Sequence, residues 1–186
     1  TLKACDESLE KLKSPFIDLY LIHWPVGPVR KATWRALEKL KAEGKCRAIG
    51  VSNFTAAHLD DLKSSSATVP AANQVEFSPF LFQRDLLELC RARGIVVEAY
   101  SPLAKAKRLS DPGLGAVAKK QGRTAPQVML RWGLQHGLVV LPRSSRREHI
   151  EENARLFDFE LDASDMKALD ALNAGYRTAW DPTAQP

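Results

Sequence analysis

Cysteine is scarce in this chain: Cys5, Cys46 and Cys90 are an odd number, far apart, with no CxxC spacing. That excludes a disulfide framework and a paired-cysteine redox or metal motif, and it predicts reduced thiols in a cytoplasmic protein. No metal site is predicted. No apolar run approaches bilayer-spanning length, and the first residues do not read as a secretory leader, so no membrane partner is expected. There is no GxGxxG; Gly113 and Gly115 lie within a helical stretch. Lys and Arg exceed Asp and Glu by 27 to 22, a net charge of +5, but they are spread over helical stretches, as at Arg35, Lys39, Lys41 and Lys45. Without a basic run or interleaved aromatics, nucleic acid is not an expected partner. No internal repeat or low-complexity linker is visible. What is present, in 186 residues that are 45% hydrophobic and 26% charged, is the composition of a globular core. The chain starts at Thr1, which points to processing or a fragment.

Five short apolar runs recur: 16–23 (FIDLYLIH), 47–53 (RAIGVSN), 70–76 (PAANQVE), 95–101 (IVVEAYS) and 138–144 (LVVLPRS). Their interiors are apolar rather than alternating, which suits parallel strands covered on both faces. Helical patterns separate them, over 1–12, 31–42, 55–64 and 84–93, then 112–121 and a helix capped by Thr124 before the last strand. Two more follow, near 147–157 and 162–172. Gly44, Gly94 and Gly122 stand at helix ends, and Thr55 reads as an N-cap. Asp158, Glu160, Asp162 and Asp165 read as a solvated face with N-cap charges.

Alternating βα units predict a parallel α/β fold. Five strands in this length fit a doubly wound sheet more comfortably than a (β/α)8 barrel, which takes about 250 residues. The strand ends argue the other way. Polar or aromatic groups close every strand: His23, Ser52 with Asn53, Asn73 with Gln74, Tyr100 with Ser101, and Arg143 with Ser144. Contributions from each strand in succession are what a barrel mouth collects, whereas an open sheet uses mainly its switch point.

Six segments in order, LYLIHWP (19–25), RAIGVSNF (47–54), PAANQVEFSP (70–79), VEAYSPL (97–103), LPRSSRREHIEEN (141–153) and FDFELD (157–162), resemble the aldo-keto reductases, near the diketogluconate and aldose reductase branch. The resemblance runs from Thr1 to about Asn173. It implies a (β/α)8 TIM barrel, incomplete here, holding strands 4–8 and their helices in one domain over 1–186, with 173–186 as a C-terminal loop. It also implies NADPH as cofactor, with NADH use possible, and a small-molecule carbonyl substrate.

By that resemblance His23 is the active-site histidine that hydrogen-bonds the substrate carbonyl, and Trp24 and Trp180 border the substrate. Ser52, Asn53 and Gln74 hold the nicotinamide carboxamide and Tyr100 stacks on its ring; Ser101 and Leu103 lie along the pyrophosphate. Arg143, Ser144, Ser145, Arg146 and His149 take the 2′-phosphate, and Glu152 with Asn153 the adenine. The family commonly has Lys at 143 and Arg at 149. A neutral His gives up the bidentate grip of Arg, so a weakened preference for NADPH over NADH is expected.

Reduction also needs a proton donor. The family uses a Tyr with its Lys and Asp, all upstream of any segment here, so roughly 80–90 residues are expected to be missing. Tyr20, three residues before His23, falls on the opposite side of its strand, and Asp18 fails the same test. The complete protein is expected to be a monomer, and a fragment with bare sheet edges is expected to associate. Two other readings stand beside this one: a non-catalytic cofactor-binding or interaction protein on the same barrel, and an unrelated open-sheet binding module.

Overall fold

The computed structural model describes residues 1–185. In order it contains α1 (Leu2–Leu12), β1 (Ile17–Ile22), α2 (Arg30–Ala42), β2 (Cys46–Ser52), α3 (Ala56–Lys63), β3 (Ala72–Glu76), α4 (Arg84–Ala92) and β4 (Val96–Tyr100). Then follow α5 (Pro112–Gln121), α6 (Ala125–Gln135), β5 (Val139–Leu141), α7 (Arg147–Ala154) and α8 (Ala163–Asp170), with single 3-10 turns at Ala104–Ala106 and Pro182–Ala184. The strands form one sheet in the order β1-β2-β3-β4-β5, and the registers of β1 with β2, β2 with β3 and β4 with β5 are parallel. This is the α/β architecture expected of part of a (β/α)8 barrel. Strand β5 is shorter than the apolar run predicts. Its ladder ends at Leu141 because the next residue, Pro142, has no N–H to give.

Contacts group the chain into two compact units. One comprises 1–74, 85–96 and 181–186; the other comprises 75–84 and 97–180. In the first, Cys5, Trp34, Leu37, Leu40, Ile49, Val51, Phe54, Leu59 and Leu62 are buried. Apart from Phe54, which follows β2, they come from helix positions three and four apart and from the inner residues of β2, so the amphipathic faces read from the sequence are the packed ones. Helix α3 starts on a capping box. Thr55 Oγ1 accepts the His58 N–H at 3.3 Å, and the Thr55 N–H donates to His58 Nδ1 at 3.2 Å. Nδ1 is therefore the bare nitrogen, and Nε2 carries the proton it donates to the Gln185 carbonyl at 3.0 Å. The sequence marks the Thr55 cap but carries no sign of the histidine that completes it.

In the second unit an aromatic cluster forms the core. The Phe82 ring lies 5.2 Å from that of Trp132 and 4.8 Å from that of His136. Asp165 is not solvated but buried, accepting from Lys120 Nζ at 2.7 Å and from Gln121 Nε2. Asp162 does cap α8, accepting the Asp165 N–H at 2.8 Å. Asp158 and Glu160 stay at the surface, paired with Arg123 and Arg131.

Candidate cofactor and active site

In the first unit the polar residues meet just past the ends of β1 and β2, beside Gln74 of β3. His23 follows β1 directly and is exposed. Asn53 takes a left-handed φ of 63°, which Asn tolerates better than most residues, and so turns its amide back over the strand ends. Its Nδ2 donates to the His23 carbonyl and to Ser52 Oγ, both at 3.0 Å. Ser52 Oγ in turn donates to the Gln74 carbonyl at 2.7 Å, which also receives the Asn53 N–H at 2.9 Å. His23, Ser52, Asn53 and Gln74 are thus one hydrogen-bonded group. These bonds brace the backbone after the strands and fix where the His23 ring starts.

Asn73, one residue earlier in β3, faces away from that group. It is buried, accepts the Phe54 N–H at 3.3 Å and donates to the Phe54 carbonyl at 2.9 Å. Period-2 alternation divides the pair into a brace and a site candidate. Trp24, His23 and Tyr20 border a cavity of about 410 Å³ beside β1. The Tyr20 hydroxyl nevertheless engages Ser8 of α1. Burial first, then the Cys5 and Cys46 thiols, hold its pKa above the ordinary tyrosine value, the wrong direction for a proton donor. Those thiols lie 3.9 Å apart and are buried, and desolvation pushes the Cys46 thiol up to about 11, which keeps it protonated and unreactive.

In the second unit a cavity of about 560 Å³ gathers Ser101, Leu103, Lys105, Arg143, Ser144, Ser145, Arg146 and His149. Three permanent cations border it and no carboxylate does. Arg146 is the N-cap residue of α7 and no side chain caps that end, so the first-turn N–H groups of the helix lie beside the cations. His149 Nδ1 lies 3.2 Å from Glu152 Oε2, while its Nε2 is buried without a hydrogen-bond partner. Glu152 is thus held by His149 from within its own helix, and Asn153 follows it near the end of α7.

Lys105 was not singled out by the sequence. It sits in a run of three left-handed residues, Ala104, Lys105 and Ala106, with φ between 47° and 61°. For non-glycine residues that is costly backbone, of the kind that persists where the surroundings impose it. Lys105 Nζ donates to the Thr178 carbonyl at 2.7 Å. The same C-terminal segment is gripped by the buried Glu76, which accepts from Thr178 N at 2.7 Å and from Ala179 N at 3.0 Å. Next to it Trp180 is 79% exposed. Tyr100 has its pKa raised chiefly by burial and then by the charge of Glu76. Tyr176 packs against Arg108, whose guanidinium lies 4.4 Å from its ring centroid. No helix among the described residues is long and apolar enough to cross a membrane, and no cluster of metal-binding side chains is found among them.

The chain is 48% identical over 182 residues to a glyoxal reductase of Bacillus subtilis (strain 168), covering 98% of this chain and 66% of that protein. It is 47% identical over 182 residues to the oxidoreductase YtbE of the same organism, covering 98% of this chain and 65% of the relative. The chain therefore spans just under two thirds of the length of these curated relatives. Among solved structures it superposes on an NADPH complex of a Gox0644 variant with a TM-score of 0.92 and 41% identity, covering 98% of this chain and 69% of that one. The family model described as Aldo/keto reductase family matches residues 1–174. The chain belongs to the aldo/keto reductase family.

Proposed function

We propose that the protein is an NADPH-dependent oxidoreductase that reduces the carbonyl of small aldehydes or ketones, with 1–186 forming part of one barrel domain and 173–186 its C-terminal loop. The observation that carries this is the cavity before α7, with three cations, no bordering carboxylate, and a helix N-terminus. That donor set suits a phosphomonoester. Arg143 and Arg146 would hold the 2′-phosphate with Ser144 and Ser145, and Ser101 and Leu103 would lie along the pyrophosphate. Glu152 and Asn153 would meet the adenine, while Ser52, Asn53 and Gln74, with Tyr100, would position the nicotinamide.

When bound, NADPH supplies a hydride. His23 would donate a hydrogen bond to the carbonyl oxygen, polarising it and placing the carbon for attack, with Trp24 and Trp180 bordering the substrate. The carbonyl carbon gains the hydride, its oxygen gains a proton, and the products are the alcohol and NADP⁺. None of the three tyrosines offers that proton. Tyr20 is turned to Ser8 with a raised pKa, Tyr100 is raised by burial beside Glu76, and Tyr176 packs on Arg108. The proton donor in this proposal is not supplied by these 186 residues.

The 186-residue chain by itself is expected to bind NADPH yet oxidise it no faster with a simple aldehyde than without one. Following NADPH absorbance checks this. Turnover at ordinary enzyme rates, roughly 1–1,000 per second, would place an acid within the chain and overturn the assignment. Three buried thiols support a cytoplasmic setting. A non-catalytic cofactor-binding role is the second reading, favoured by the same lack of a donor beside His23.

A further inference from the structure

We infer that the protein carries a second small-molecule site, a cavity between α3 and the end of α4 that takes an aliphatic carboxylate. It stands independently of the cofactor reading above. The cavity has a volume of about 380 Å³ and is lined by the last turns of α3, the segment 66–70, and Ala92, Arg93 and Ile95, which lead from α4 to β4. That volume lies within the roughly 300–1,000 Å³ range of small-ligand pockets. Pro70 stands just before β3, whereas the His23 and Asn53 group gathers past the ends of β1 and β2. These strands run parallel, so the cavity lies at the opposite end of them from His23.

Three features select the ligand. First, the wall is largely aliphatic. Leu59, Leu62, Pro70 and Ile95 are buried, and Val69, which also lines the cavity, is 54% exposed and gains from being covered. Second, the serine in the wall is already engaged. Ser66 Oγ accepts the Trp34 Nε1–H at 3.2 Å and the Thr68 N–H at 3.0 Å, and it donates to Glu38 Oε1 at 2.6 Å. Those bonds fix the segment 66–68, so the cavity is shaped before any ligand enters. Third, both ionisable residues that line it are cations, Lys63 and Arg93, with no carboxylate. Arg93 Nη2 already holds Asp60, which offsets its charge. Lys63 has no ion-pair partner among the described residues.

A monoanion with an aliphatic tail answers all three. Its tail covers Val69 and packs against the leucines and Ile95, removing apolar surface from water on both sides. Its carboxylate pairs with the Lys63 ammonium. Lys63 is exposed, so both charges stay hydrated and the cost of burying an ion does not arise. A phosphate dianion fits less well, because a single uncompensated cation faces it and the aliphatic wall stays bare. An alcohol of the same length would cover the wall and leave Lys63 without a partner. Binding is non-covalent and transfers no group.

The test titrates the 186-residue chain with octanoate, 1-octanol and acetate at neutral pH and low salt, following backbone amide NMR shifts. Octanoate is expected to bind with a Kd on the order of 0.1–1 mM, the worth of a ligand of this size. The shifts should centre on Leu62, Val69 and Ile95 and leave His23 unmoved. Octanol should bind about two- to fivefold more weakly, since it forgoes an exposed ion pair, and acetate should not bind detectably. Lys63→Met keeps the apolar stem and removes the charge, so it should weaken octanoate by the same roughly two- to fivefold and leave octanol unchanged. Ala92 is exposed at the end of α4, so Ala92→Phe should fold, fill the cavity from its edge and weaken both ligands at least about tenfold. Circular dichroism checks that both variants keep their helices. Octanoate shifts centred on His23, octanol binding as tightly as octanoate, full affinity in a folded Ala92→Phe, or no saturation below about 10 mM would each overturn the proposal.

Discussion

Replacing Asp170 with alanine is expected to lower the unfolding free energy by about 3 kcal/mol. Its Oδ1 accepts from Trp132 Nε1 and from His136 Nε2, each at 2.8 Å, and its Oδ2 lies 3.1 Å from Arg84. One carboxylate at the end of α8 therefore joins the start of α4 to Trp132 in the last turns of α6 and to His136, which closes that helix. Trp132 is 1% exposed, so without Asp170 its indole N–H would be buried with no acceptor, a loss of about 1–3 kcal/mol. His136 also loses the group that fixes its proton on Nε2. The Arg84 pair adds little, because that side chain is 57% exposed and screened by water. Asp170→Asn keeps an acceptor oxygen at the same place and is expected to cost about 1 kcal/mol or less. Urea titration of both variants checks this. Equal losses for alanine and asparagine would show that charge, not hydrogen bonding, secures the cluster.

A single added methyl at Gly50 is expected to cost a similar amount, about 3 kcal/mol, near the upper end for overpacking a tight site. Gly50 lies inside β2 between two parallel neighbours. A Cβ there would stand 2.7 Å from the Ala72 carbonyl oxygen and 2.7 Å from Leu21 Cδ2. The leucine end can swing aside, but the carbonyl belongs to the backbone of β3 itself and cannot move without shifting the ladder. Thermal unfolding of Gly50→Ala should show a midpoint lower by roughly 6–12 °C, at 2–4 °C per kcal/mol for a chain of this size. An unchanged midpoint would mean that β2 and β3 are not as close as described.

The sequence carried the elements well because it carries periodicity well. All five apolar runs are strands and all eight helical patterns are helices, and Thr55, Asp162, Gly44 and Gly122 stand at the ends where their chemistry placed them. It carried the 143–149 segment for a related reason. The residues that share the cavity are neighbours in the chain and follow a strand into a helix. What it could not carry are pairings between distant elements. Asp165 looked like another acid on a polar helix, and only the approach of Lys120 and Gln121 from α5 buries it. Glu76 looked like the last residue of a strand, and its grip on Thr178 and Ala179 spans about a hundred residues of chain. Lys105 gave no signal because alanines flank it, and left-handed backbone at alanine is set by surroundings rather than by propensity. His149 showed in the sequence as a missing arginine, but the tautomer that Glu152 imposes on it is visible only in three dimensions.

The central claim is that the cavity before α7 reads the extra phosphate of NADPH with a weakened grip. The pair of dissociation constants for NADPH and NADH, measured on the wild-type protein at pH 7, tests it most directly. Saturable binding of both is expected, with NADPH tighter by roughly ten- to a hundredfold, the worth of about one charged hydrogen bond. Equal affinities, or no binding of either, would contradict a phosphate site in this cavity. A preference for NADPH above about a thousandfold would contradict the weakened grip assigned to His149.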